Sequence, residues 1–189
     1  PQVLFEGCAG GGGRFDPGML YYMPQIWTSD DSDAIERLTI QKGTSMVYPA
    51  ISMGAHVSAS PNHQVGRITG IETRSVVAMQ GTFGYELDLT KLSDLELAVI
   101  KNQITKYKKL RPIIQFGDLY RLKDNDNEQA WMYLYQKQVL VSYVQILAKP
   151  NTVPKRLKLK GLKVNTKYCL LEDNQVYDGS VLMNIGLPL

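Results

Sequence analysis

Gln25-Ile26-Trp27-Thr28-Ser29-Asp30-Asp31-Ser32-Asp33-Ala34-Ile35-Glu36-Arg37-Leu38 packs a strand, a loop and the start of a helix into one short stretch. Gln25 to Thr28 read as a short strand, and the small and acidic residues from Ser29 to Asp33 form the loop that ends it. Asp33 and Glu36 have capping-box spacing, and Ile35 and Leu38 begin an apolar stripe, so a helix follows at once. Strand, acidic loop and helix in this order form the repeating unit of an α/β fold.

Working outward, residues 2 to 6 read as a short buried strand, and the run from Gly10 to Gly13 is a turn, because glycines lose the most backbone freedom in a regular element. Downstream, residues from about Gly66 to Met79 read as a helix closed by Gly81. Ser93 with Glu96 caps another, in which Leu97, Ile100, Ile104 and Tyr107 share one face. Beyond Pro112 the pattern turns to β: Ala130 to Tyr135, Val139 to Leu147, Arg156 to Leu162, Tyr168 to Leu171 and Val181 to Ile185. The expected organisation is an α/β part over 1–118 and an antiparallel β-sandwich over 119–189.

The 189 residues are 44% hydrophobic and 21% charged, which is globular composition, and a net charge of +3 is too mild to argue for a nucleic-acid partner. Cys8 and Cys169 lie far apart, without the short spacing of a zinc ribbon or a disulfide framework, so a reducing cytoplasm is the expected setting. No apolar run has the length of a membrane span, so no membrane partner is expected. Pro1 in place of an initiator Met, followed by an extended segment, predicts that the chain starts inside a domain.

Three clusters can carry chemistry. Cys8-Ala9-Gly10-Gly11-Gly12-Gly13-Arg14-Phe15-Asp16 lacks the Lys-Ser/Thr ending of a phosphate loop and the spacing of a dinucleotide fingerprint. It is either a flexible turn or a place where backbone approaches a ligand closely, with Arg14 and Asp16 equally able to form a structural ion pair. Among Asp30, Asp31 and Asp33, helix capping accounts for Asp33, leaving Asp30 or Asp31 free to serve as the carboxylic acid that glycoside hydrolysis needs beside the leaving oxygen. The residues by themselves do not choose between these two. His56 and His63 are seven apart, which excludes a helical metal pair with four-residue spacing, and both read as structural, hydrogen-bonded histidines; no metal or cofactor is expected. The basic run Lys149 to Lys167 reads as a solvated face, and Met19, Tyr21, Tyr22, Met23 and Trp27 as packing aromatics and methionines.

Cys8 to Tyr22, taken with Gln25 to Asp31, resembles the C-terminal third of bacterial glycoside hydrolase family 36 α-galactosidases. Met53 to Ala59, Pro61 to Arg67, Phe83 to Leu89 and Gln115 to Leu122 extend the likeness over nearly the whole chain. The resemblance implies the C-terminal part of a (β/α)8 barrel followed by a small antiparallel β domain. It assigns the catalytic acid/base to Asp30, and the sugar-binding contacts to the Cys-x-Gly-Gly of Cys8, Gly10 and Gly11, with Ala9 where relatives carry Ser. The family nucleophile lies in a Lys-Trp-Asp-Met-Asn motif that does not occur in these residues, so the chain by itself is expected to be inactive. The implied substrate is a terminal non-reducing α-galactosyl residue of an oligosaccharide such as raffinose or melibiose, in an enzyme that is a homo-oligomer, tetrameric in bacterial relatives.

Overall fold

The computed structural model describes residues 2–8, 10 and 15–189. The chain forms two compact units, Pro1–Gly117 and Asp118–Leu189. Asp118, which the sequence reading placed at the end of the first part, opens the second, because it is the first paired residue of a new strand.

The first unit is built on a four-stranded, fully parallel sheet, β1 (Glu6–Gly7), β2 (Gln25–Trp27), β3 (Met53–Ser58) and β4 (Thr82–Glu86), in sequential order. The helices α1 (Met19–Tyr22), α2 (Ala34–Thr44) and α3 (Ile71–Ala78) connect successive strands, and α4 (Asp94–Phe116) follows the last. Because side chains alternate across a strand, Met53, Ala55 and Val57 all point to one face, where they are wholly buried. That is the face covered by helices, which contribute Leu38, Val77, Ile113 and Ile114 to the same core. The opposite face receives Gly54, His56 and Ser58, and this polar side carries the candidate site.

Capping follows the sequence closely. The Asp33 carboxylate accepts from the backbone N–H groups of Ile35 and Glu36, starting α2, and Ser93 with Glu96 forms a complete capping box at α4. Other expectations are corrected. Helix α4 runs past Pro112 to Phe116, since the buried Ile113 and Ile114 hold a last turn that proline weakens. Helix α3 starts at Ile71 rather than near Gly66. The expected buried strand over 2–6 is paired only from Glu6, and Val3, Leu4 and Phe5 are exposed, because they lie before the first residue that β2 reaches. Strands β3 and β4 were not anticipated, Gly, Ala, His and Ser giving β3 little strand propensity of its own.

The second unit opens with an antiparallel meander, β5 (Asp118–Asp124), β6 (Glu128–Tyr135) and β7 (Gln138–Gln145). Two small antiparallel pairs follow, β8 (Arg156–Leu157) with β11 (Leu187–Pro188), and β9 (Lys167–Cys169) with β10 (Val176–Asp178). Ala130 and Met132 of β6 pack with Leu157, Leu159, Leu162 and Leu182 as its core. Of Val181 to Ile185, expected as a strand, Val181 to Asn184 belong instead to α5 (Gly179–Asn184) and Ile185 caps it: this short helix drives Leu182 into that core, and Asn184 hydrogen-bonds back to the Ser180 carbonyl. Around Lys158-Leu159-Lys160 the buried leucine and exposed lysines alternate as expected, although the paired strand ends at Leu157.

Candidate functional site

Two chain segments leaving the C-terminal ends of adjacent parallel strands meet at Cys8 and Asp30. Cys8 directly follows β1, and Asp30 lies in the turn after β2. The Cys8 thiol is 3.9 Å from Asp30 Oδ1, and both residues are exposed. Loops at this end of parallel strands carry the chemistry in α/β barrels, since the strand ends converge there while the helices stay outside.

The structure separates the three acids that the sequence left together. Asp33 is 1% exposed, capping α2 and ion-paired with Arg67. Asp31 accepts from the Asp33 backbone N–H at 3.0 Å, while its own N–H donates to Ser29 Oγ at 3.1 Å, so its carboxylate is part of the turn. Asp30 turns to solvent, with the thiol of Cys8 beside it.

That turn is fastened from two directions. From α2, the buried Arg37 donates through Nη1 to Thr28 Oγ1 at 2.8 Å and to the Ser29 carbonyl at 3.3 Å, and through Nη2 to the Gly54 carbonyl of β3 at 2.9 Å. Burial brings its pKa down to about 10, against the opposing pull of Glu86 and Asp31, so it stays cationic at neutral pH. From the end of β3 and the loop after it, Ser58 Oγ donates to the Ser32 carbonyl, Asn62 Nδ2 to Ser32 Oγ, and Gln64 Oε1 accepts the Ser32 N–H. Ser32 thus has its N–H, hydroxyl and carbonyl all engaged by the end of β3 and the loop that follows.

Beside Asp30 and Cys8, the polar face of the sheet forms a cleft of about 350 Å3 lined by Glu6, Cys8, Trp27, His56, Tyr85 and Glu86. Trp27 stacks on His56 with ring centroids 4.5 Å apart, and the Arg37 guanidinium lies 4.2 Å from the centroid of the Trp27 ring. Burial holds the His56 imidazole below its ordinary pKa, Arg37 adding to the effect and Glu6 and Glu86 opposing it. Sequence reading singled out neither Glu6 nor Glu86, nor did it give Arg37 a role. The available signal was the two-residue alternation in β3, which sets His56 opposite the apolar Met53, Ala55 and Val57.

The remaining candidates divide. Gly10 adopts φ +67°, a left-handed conformation that favours glycine, with open space where a side chain would project. Gly11 lies outside the described residues, as do Ala9 and Arg14, and with Arg14 the ion pair considered for it and Asp16; the Asp16 carboxylate accepts the Met19 N–H at 3.1 Å. His63 is exposed on its loop, and no group of His, Cys, Asp or Glu able to hold a metal occurs among the described residues. Trp27 is packed as expected, but Tyr21 and Tyr22 are exposed and touch each other edge to face, because the short α1 on which they lie buries none of its residues. Both cysteines are free, and among the described residues no helix is long and apolar enough to cross a membrane.

A helix-backed parallel sheet with a solvent-facing carboxylate at a strand end, followed by a separate antiparallel unit, defines the class: the C-terminal part of a (β/α)8 barrel with a small β domain after it. The Melibiase profile matches residues 1–117 and the glycosyl hydrolase family 36 C-terminal domain profile matches residues 128–189, so the chain belongs to glycoside hydrolase family 36. It is 54% identical to α-galactosidase AgaA of Geobacillus stearothermophilus, covering 100% of this chain and 26% of that protein. A crystal structure of an AgaA variant in complex with raffinose superimposes with a TM-score of 0.95 at 53% identity, covering 99% of this chain and 26% of that one. The galactosidase domain of the α-galactosidase–sucrose kinase AgaSK, from Mediterraneibacter gnavus, gives a TM-score of 0.96 at 51% identity, covering 100% and 27%. The chain therefore spans about a quarter of the length of these relatives.

Proposed function

We propose that the complete protein is a retaining α-galactosidase in which Asp30 is the acid/base and Cys8, Gly10 and Gly11 hold the galactosyl group. The observation that carries this reading is the meeting of Asp30 and Cys8 at 3.9 Å on neighbouring strand ends, with Asp31 and Asp33 both committed to the turn. In the reaction Asp30 protonates the glycosidic oxygen as a carboxylate from upstream of this chain attacks the anomeric carbon, and the C–O bond to the leaving sugar breaks. Asp30 then takes a proton from water, which attacks the same carbon as its bond to the nucleophilic carboxylate breaks, freeing that carboxylate and restoring the original configuration; the two carboxyls of such a pair stand about 5–5.5 Å apart.

The substrates that fit are oligosaccharides of the raffinose and melibiose kind, in agreement with the raffinose bound to the AgaA variant. The widely spaced Cys8 and Cys169 support a cytoplasmic location, the change to β pattern a domain division near residue 118, and the family reading a homo-oligomeric enzyme. The test is Asp30→Asn in the full-length protein. Turnover of raffinose, whose leaving group needs a proton, should collapse, while aryl galactosides with acidic leaving groups keep forming the glycosyl-enzyme. Azide should then speed its breakdown and yield α-galactosyl azide. Unchanged kinetics on raffinose would remove Asp30 from the role.

A further inference from the structure

We propose that Arg37 is a positioning residue for Asp30, an inference that rests on the acid/base reading above. Its guanidinium bonds to Thr28 and Ser29, the two residues immediately before Asp30, and anchors them to Gly54 on the next strand.

Arg37 is 2% exposed and lies on the helix that follows the loop, so it reaches back beneath the turn from a rigid element. A buried guanidinium is costly to desolvate, and an apolar side chain such as that of neighbouring Leu38 fills comparable space without that cost, so simple packing does not call for an arginine here. What the planar fork adds is direction: two nitrogens join the residue just past β2 to Gly54 near the start of β3 while the flat face lies against Trp27, itself stacked on His56.

The Asp30 carboxylate is exposed, and its contact to the Cys8 thiol is long and weak. Its direction is therefore set by the backbone beneath it, and the peptide that joins Ser29 to Asp30 is the one whose carbonyl Arg37 holds. Proton donation to a glycosidic oxygen is sensitive to such placement: a shift of about 1 Å in a reacting group costs about a hundredfold in rate. A lysine keeps the charge but has neither the fork nor the flat face.

The experiment compares full-length wild type, Arg37→Lys, Thr28→Val and Asp30→Asn on raffinose and on aryl α-galactosides of graded leaving-group acidity. For Arg37→Lys, kcat on raffinose should fall about tenfold or more and kcat on the most activated aryl galactoside less than about threefold, with KM within about twofold. Thr28→Val, which removes one of the three bonds and keeps the shape of the side chain, should show the same selectivity in smaller measure. It decides the matter if Arg37→Lys does not fold. Equal losses on all leaving groups, or none in either variant, overturn the positioning role while Asp30→Asn still shows its own leaving-group dependence. If Asp30→Asn shows no such dependence, the acid/base reading itself falls, and the inference with it.

Discussion

The Ser58 hydroxyl donates a 2.8 Å hydrogen bond to the carbonyl of Ser32, tying the last residue of β3 to the turn that carries Asp30. Asn62, 4% exposed, completes the attachment: its amide donates to Ser32 Oγ and its carbonyl accepts the N–H groups of Gln64 and Val65. Asn62→Ala removes the partner of the buried Ser32 hydroxyl and the turn bonds to the exposed Gln64 and Val65, and a buried polar group left unpaired costs roughly 1–3 kcal/mol. The expected outcome is a lower urea midpoint for the full-length protein together with reduced turnover of raffinose. Loss of stability with full turnover would show that the turn keeps its shape without this loop.

The glycines of the first unit separate into crowded and free. A Cβ at Gly81 would stand 2.6 Å from the Met53 carbonyl, a backbone atom at the start of β3 that cannot swing aside, whereas one at Gly43 meets nothing within 4 Å. Gly81→Ala should therefore destabilise by about 1–3 kcal/mol, as overpacking does. Gly43→Ala, at an exposed position in the last turn of α2, should stabilise by up to about 0.5–1 kcal/mol. Thermal unfolding of the two variants beside wild type measures both signs.

Much of this architecture is legible in the chain because it rests on local chemistry. Asp33 and Ser93 announce their helices through capping side chains, and the β6–β7 hairpin shows in its runs of aromatic and β-branched residues. Strand β3 is silent because Gly54, His56 and Ser58 are chosen for the face they share with Glu6, Trp27 and Glu86, a constraint set by β1, β2 and β4. Val181 to Ile185 misleads for the same reason: its β-branched ends suggest a strand, and the demand for Leu182 in the core makes a helix. Asp30 and Asp31 are equivalent in a string of letters. The family resemblance prefers Asp30, and in the structure the hydrogen bond from Asp33 N–H to Asp31 and the Cys8 thiol beside Asp30 tell them apart.

Glu128 makes the second unit sensitive to acid. Lys123, Lys155 and Tyr143 all bond its carboxylate, at 2.7, 2.6 and 2.5 Å, and hold its pKa far below the ordinary glutamate value of 4.5. The unfolded chain binds a proton near that ordinary value and the folded one resists it, so the stabilisation is complete above about pH 4.5 and declines as pH falls further towards the folded pKa. Urea midpoints measured from pH 7 to pH 3 should fall less steeply for Glu128→Gln than for wild type. Parallel curves would show that other carboxylates dominate the acid limb.

If Asp30 is the acid/base, as proposed, retaining hydrolysis needs a nucleophilic carboxylate across the sugar from it, and that requirement makes the isolated chain a sharp test. Asp31 is spent on the turn, which leaves Glu6 and Glu86 as the carboxylates lining the cleft beside Cys8. Both issue from the same sheet face as Trp27 and His56, whereas the nucleophile expected from the family resemblance belongs to a Lys-Trp-Asp motif not found in these residues. The purified 189-residue chain, shown to be folded by circular dichroism, should release no galactose from raffinose or from an activated aryl galactoside. Turnover that disappears in Asp30→Asn and in Glu6→Gln or Glu86→Gln would move the second carboxylate into this chain. With both substrates untouched, neither Glu6 nor Glu86 completes the pair with Asp30, as the proposed function expects.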